Sequence, residues 1–166
     1  MPRFWSYLKF LFRSTNQHGV HSPFVFAYLT RCLYKRGPGP GERSQKIVLK
    51  SIAYFNFRSL HLSGDHQNLR ALLKEQYPNL TYGDPPYDLV VISREMIVRV
   101  DFNSLLSQCH NDSMILVDDL HKGKKERSIW ETLCRDPRIT VSIDYYFGGL
   151  LFLRREQVKQ HFRIRI

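Results

Sequence analysis

YDLVVIS at residues 87–93 and SMILVDDL at 113–120 are two short apolar runs that each end in polar or acidic residues, and the reading of the fold starts from them. Near-continuous Val, Ile and Leu is the pattern of a strand buried on both faces, as in a parallel sheet covered by helices. Between them Phe102, Leu105, Leu106 and Cys109 recur at helical spacing, so a helix near 101–109 joins the two strands. Outward toward the N-terminus, SLHLSG (59–64) reads as another strand, and Asp65 is placed to cap a helix carrying Leu69, Leu72, Leu73 and Tyr77 that Pro78 closes. LTYG (80–83) is a weak strand. Outward toward the C-terminus, a helix through Ile129, Trp130 and Leu133 stops before Pro137. ITVSIDYYF (139–147) and GLLFLRR (149–155) then read as a hairpin joined through Gly148 and Gly149. The expected fold class is α/β: a mainly parallel sheet that ends in an antiparallel hairpin.

Helices precede this sheet. Phe4, Trp5, Leu8, Leu11 and Phe12 form an apolar stripe between Arg3, Lys9 and Arg13, which predicts an amphipathic first helix. The rest of the domain is the expected cover for that stripe, a membrane surface or partner chain the alternative. Ser22 and Pro23 are a cap and first position for a second helix with Val25, Tyr28, Leu29, Cys32 and Leu33 on one face. KRGPGPGE (35–42) is a loop, and a third helix over 44–57 uses Val48, Ile52 and Phe55. The division expected is an N-terminal helical segment, 1–36, and an α/β domain, 44–166.

The 166 residues, 43% of them hydrophobic with eleven Phe and nine Tyr, are enough for one core. No apolar run approaches the roughly 18 residues of a membrane span, and Lys9 and Arg13 interrupt the apolar N-terminus where a secretion signal would need continuity. Cytoplasmic residence is the expectation. Cys32, Cys109 and Cys134 lack the pairing of a metal or disulfide motif and read as plain thiols. The net charge of +10 gathers at the ends: residues 1–50 hold nine Lys or Arg against Glu42, and Arg154, Arg155, Lys159, Arg163 and Arg165 crowd the C-terminus. Such a field favours anionic partners, whether a small molecule, nucleic acid or a lipid surface.

YLKFLFRSTNQHGVHSPFVFAYLTRCLY (7–34), with its HGVHSPF string, resembles the N-terminal helical segment of a bacterial family of class I S-adenosylmethionine (SAM)-dependent methyltransferases. The stretch from His110 to Ile166 is similar to the C-terminal third of that family. The resemblance implies a seven-stranded Rossmann-like sheet whose closing strand is antiparallel, and SAM as cofactor. It also implies a Gly-rich turn after the first strand, an acid ending the second, and a further strand and helix before the segment matching YDLVVIS. Only residues 59–88 are present for all of these, and one βαβ unit takes roughly 30 residues, so the middle is shortened. SLHLSGD matches either the first strand with its turn or the second strand with the first absent.

Gly64 and Asp65 are therefore the candidate cofactor contacts: glycine lets backbone amides approach a ligand, and an acid accepts ribose hydroxyls. A strand end followed by an Asp helix cap is the simpler alternative. Asp118 and Asp119 lie where parallel sheets present functional groups, and in metal-dependent O-methyltransferases the corresponding strand end ligates a divalent cation; Ser93 stands where that pattern leads one to expect another Asp. Helix capping is the alternative. His18 and His21 are candidates for a segment covering the substrate, or for ordering the turn between two helices. The functional expectation is a class I SAM-dependent methyltransferase-like protein with a reduced or lost cofactor pocket. The alternatives are a non-catalytic scaffold or interaction module, and a basic binder of nucleic acid or membrane surfaces.

Overall fold

In the computed structural model, which describes residues 3–15, 19–37 and 41–166, the two decisive runs are adjacent parallel strands. The helices are α1 (Arg3–Arg13), α2 (Pro23–Tyr28, continued by a π-helical turn through Leu33), α3 (Arg43–Phe55), α4 (Gln67–Gln76), α5 (Phe102–Ser107) and α6 (Lys124–Arg135). The strands are β1 (Ser59–Ser63), β2 (Thr81–Tyr82), β3 (Tyr87–Ile92), β4 (Cys109–Asp118), β5 (Val141–Asp144), β6 (Gly148–Phe152) and β7 (Gln160–Arg163). They form one seven-stranded sheet in the order β2-β1-β3-β4-β6-β5-β7, with β6 antiparallel to both neighbours and every other pairing parallel. This is the Rossmann-like α/β architecture expected.

Continuous apolar sequence in β3 and β4 follows from burial on both faces. Leu89, Val91, Met114 and Leu116 turn to one side, where they meet Tyr28, Leu29, Val48 and Ile52 of the first helices and Leu73 of α4. Val90, Ile92, Ile115 and Val117 turn to the other, against Leu105, Leu106, Trp130 and Leu133 of α5 and α6. Each such side chain, removed from water, contributes roughly 1.5–3 kcal/mol. The N-terminal helices thus share a core with the sheet. Ser22 caps α2, its hydroxyl accepting from the Val25 amide at 3.3 Å.

Several local expectations are corrected. Gly148 and Gly149 belong to β6, and the β5–β6 turn is made by Tyr145, Tyr146 and Phe147. Both glycines are needed for close approach: a Cβ on Gly148 would lie 2.6 Å from the Val117 carbonyl oxygen, and one on Gly149 2.3 Å from the Trp130 ring. Cys109 opens β4 instead of closing a helix. The hairpin does not end the sheet, because β7 pairs in parallel with β5. On α1 the inward face is Tyr7 and Phe10, whose rings pack on Tyr146 with centroids 4.9 and 5.4 Å apart. Trp5 and Phe12 of the expected stripe remain 64% and 89% exposed. The middle of the Gly/Pro loop, 38–40, and His18 lie outside the described residues. No helix among the described residues is long and apolar enough to cross a membrane.

The shortened middle has a definite form. From β1 the chain runs through α4 to β2 at the sheet edge, and β2 lasts two residues before Gly83, with φ +84°, turns it back. β3 then inserts on the other side of β1, pairing Leu60 with Leu89 through Ser63 with Ile92. No further strand and helix intervene. The neighbour relation makes SLHLSGD the strand flanking the point where the order reverses, the place where open α/β sheets bind ligands.

Candidate functional site

A crevice of about 330 Å³ opens at that reversal, outside the carboxyl ends of β1, β3 and β4. Its walls come from the start of α3 (Glu42, Ser44), the turn into α4 (Asp65, His66) and the ends of β3 and β4 (Ser93, Glu95, Asp118, Asp119). Three of the acids that strand-end reasoning singled out are therefore brought together. Five carboxylates line the space, from Glu42, Asp65, Glu95, Asp118 and Asp119, against the single guanidinium of Arg94. Arg94 itself points to Glu126, with Nε 3.1 Å from Oε1. In a chain of net charge +10 this is a locally acidic concavity.

Gly64 carries φ +108°, a conformation that L side chains rarely adopt, and a Cβ there would lie 2.1 Å from Ser93 Oγ and 3.0 Å from Met96 Cγ. The glycine lets the β1 and β3 ends touch, with the Ser93 amide donating to the Ser63 carbonyl at 2.9 Å. The space above it is taken by Ser93 and Met96. Asp65 stands one residue before the α4 cap position, and its Oδ1 accepts from the Gln67 amide at 3.2 Å. The cap position itself is His66, which makes no side-chain cap bond, so the cap expected of Asp65 is corrected to a turn contact one residue earlier. His66, next to it, contacts the Ser63 carbonyl through Nε2 at 3.1 Å, and burial pulls its pKa down.

Asp118 ends β4, and Asp119 follows in a left-handed conformation with φ 53°. The Asp119 amide donates to the Phe147 carbonyl at 2.8 Å and to Asp118 Oδ1 at 3.0 Å. Burial, reinforced by the Asp119 charge, pushes the Asp118 carboxyl up to about 6, against the lowering effect of the Asp119 amide and the Ser44 hydroxyl. Asp119 forms an ion pair with Lys122. Glu95 is held below the usual carboxylate range chiefly by its own amide.

The donor set does not fit a divalent metal. Among the described residues no three His, Cys, Asp or Glu side chains are grouped to hold one, and the Asp119 carboxylate is engaged by an ammonium. The fit to a nucleoside-bearing donor is partial. The Gly64 turn and Asp65 are at the right strand end, but β2 stops so early that Asp84 stays level with the first half of β1, its carbonyl accepting from Ser59 Oγ at 2.7 Å. No acid from the β2 segment lines the crevice. His21 is exposed and lines neither this crevice nor the larger cavity near α6. Glu42, Ser44 and Glu95 were not among the residues expected here; Glu42 closes the Gly/Pro loop just before α3, where no sequence pattern singled it out.

No family model matches the chain, and no curated protein matches it. Among solved structures it is similar to that of a Staphylococcus aureus protein assigned as a caffeoyl-CoA O-methyltransferase, at 8% identity and a TM-score of 0.45, over 90% of this chain and 97% of that one.

Proposed function

We propose that the chain is a class I SAM-dependent methyltransferase-like protein that keeps a reduced crevice for an adenosine-type methyl donor. The observation carrying this is the acidic concavity at the sheet's reversal point, where Asp65 follows the Gly64 turn and Asp118 and Asp119 face it from β4. SAM, when bound, supplies a methyl group on a sulfonium. Asp65 would accept ribose hydroxyls, and the carboxylates of Asp118 and Asp119 would offset the positive sulfonium and ammonium groups. Transfer on such a scaffold proceeds through positioning of donor and acceptor, so the reading does not require an acid/base dyad. Isothermal titration at pH 8 with SAM and S-adenosylhomocysteine is the test. Saturable heat, weakened in Asp65→Asn, is expected, and no heat at millimolar ligand ends this reading.

A second reading is a non-catalytic scaffold or interaction module. It is favoured by the Ser93 and Met96 side chains over Gly64 and by the two-residue β2, both of which narrow the donor side. Cocrystallisation separates the two: an ordered donor beside Gly64 supports the first, and crystals grown at saturating SAM with Ser93 undisplaced support the second.

A further inference from the structure

A second cavity, of about 620 Å³, lies between α6, the β5–β7 edge and the end of α1. Four guanidiniums from three elements line it: Arg13 of α1, Arg127 and Arg135 of α6, and Arg163 of β7. Leu120, Trp130 and Phe162 supply apolar surface. A smaller cavity of about 100 Å³ shares Arg13, Arg127 and Arg163 and adds Lys9.

The acids present do not neutralise this set. Arg127 reaches Glu131 at 3.3 Å across a half-exposed pair. Asp144 is occupied: it bonds His121 Nε2 at 2.9 Å and accepts from the Tyr146 amide at 2.9 Å. Among the described residues Arg13, Arg135 and Arg163 have no carboxylate partner. Solvated arginines ordinarily spread over convex surface, where mutual repulsion is screened. Here separate elements direct them to one concavity with an apolar floor, which focuses a positive field on a ligand-sized volume.

We propose that this cavity binds an organic phosphate, a phosphoryl group on a flat or apolar body, with guanidiniums holding the oxygens and the body lying against Trp130, Leu120 and Phe162. Guanidinium forks suit phosphate geometry, and charge-assisted bonds of this kind are the strong ones. A concave site of this volume favours a small molecule over a nucleic-acid strand, which is tracked by extended grooves with exposed stacking rings. The proposal does not depend on the donor crevice, from which it is separated by the loop carrying Asp118 to His121.

Trp5→Phe leaves Trp130 as the sole tryptophan, so ligand entry is read by its emission, with affinities taken from isothermal titration. The probes are 1-naphthyl phosphate, 1-naphthol, inorganic phosphate and a single-stranded RNA 20-mer. Saturable binding of 1-naphthyl phosphate, with Trp130 emission altered, is expected. Inorganic phosphate should compete weakly, and Arg135→Glu and Arg163→Glu should each weaken binding about tenfold or more. Lys74→Glu, the same charge change on α4 far from the cavity, should leave affinity unchanged. Circular dichroism confirms that each variant is folded, and Arg13→Ala gives a milder third variant. The proposal is overturned if 1-naphthol binds as tightly as its phosphate, if Lys74→Glu weakens binding as much as Arg163→Glu, or if only RNA binds.

Discussion

Replacing Asp118 by Asn tests the electrostatics of the acidic crevice directly. The side chains are nearly isosteric, and the introduced amide keeps an oxygen to accept from the Ser44 hydroxyl and the Asp119 amide that now serve Asp118. In the folded chain burial and the Asp119 charge raise the carboxyl from an ordinary 3.8 to about 6. A carboxyl whose folded value is raised holds its proton longer in the folded than in the unfolded state, so it costs stability as pH rises between the two values, and the full cost applies above about pH 6. At about 1.4 kcal/mol per pH unit the interval corresponds to roughly 3 kcal/mol. Because the group borders an open crevice, solvent screening reduces this to about 1–2 kcal/mol. Asp118→Asn should therefore be more stable than the parent by about 1–2 kcal/mol at pH 8 and equal to it within a few tenths at pH 3.5. Urea unfolding at four or five pH values, followed by far-UV circular dichroism, measures the difference. A stability gain that is the same at both ends of the range would refute the reasoning. The same substitution should remove any rise in affinity for a cationic ligand between pH 5 and 7, since Asp118 supplies the charge that appears there.

Gly64→Ala forces a side chain into a positive φ and against Ser93, and should cost about 2 kcal/mol of unfolding free energy in urea; a loss under about 0.5 kcal/mol would remove the close-approach reading. Gly149→Ala meets Trp130 at 2.3 and 2.5 Å and Leu120 at 2.6 Å, so about 2–3 kcal/mol should be lost and the tryptophan emission should shift. Asp88 accepts from the Arg58 amide at 2.6 Å, the Ser59 amide at 2.9 Å and His110 Nε2 at 2.8 Å. Burial pushes its carboxyl up, yet these bonds outweigh burial and hold it below the usual range. Its contribution is therefore present above the unfolded value and lost as pH falls through the folded one. Asp88→Asn should cost about 1 kcal/mol at pH 7 and less at pH 3, by thermal unfolding.

What could be read without coordinates follows from where each signal resides. β3 and β4 were legible because burial on two faces leaves the uninterrupted apolar runs LVVI (89–92) and MILV (114–117) within them. β7 was not: QHFR holds one apolar residue, Phe162, and only its burial alternates, so its residue types carry no strand period and resemble loop. For α1 the period was right and the phase wrong. Which stripe turns inward is decided by Tyr146 and His121, stacked with centroids 4.8 Å apart, and their position beneath the helix is a tertiary fact. At the crevice the rule of strand ends found Asp65, Asp118 and Asp119, because topology alone puts them there. Glu42 and Ser44 arrive from a helix outside the sheet, and the cavity between α6 and β7 is assembled from both ends of the chain, so local pattern could not announce either.

The parallel bridge between Thr15 and Ile164, with the Thr15 amide donating to the Arg163 carbonyl at 2.9 Å and the Arg165 amide to the Thr15 carbonyl at 3.2 Å, knots the beginning of the described chain to its finish. The same clasp ties Arg13, just before Thr15, to Arg163, just before Ile164, so the arginine-lined hollow depends on a two-bond seam at the sheet edge. Wherever that seam is weakened, the hollow should open before the central strands yield.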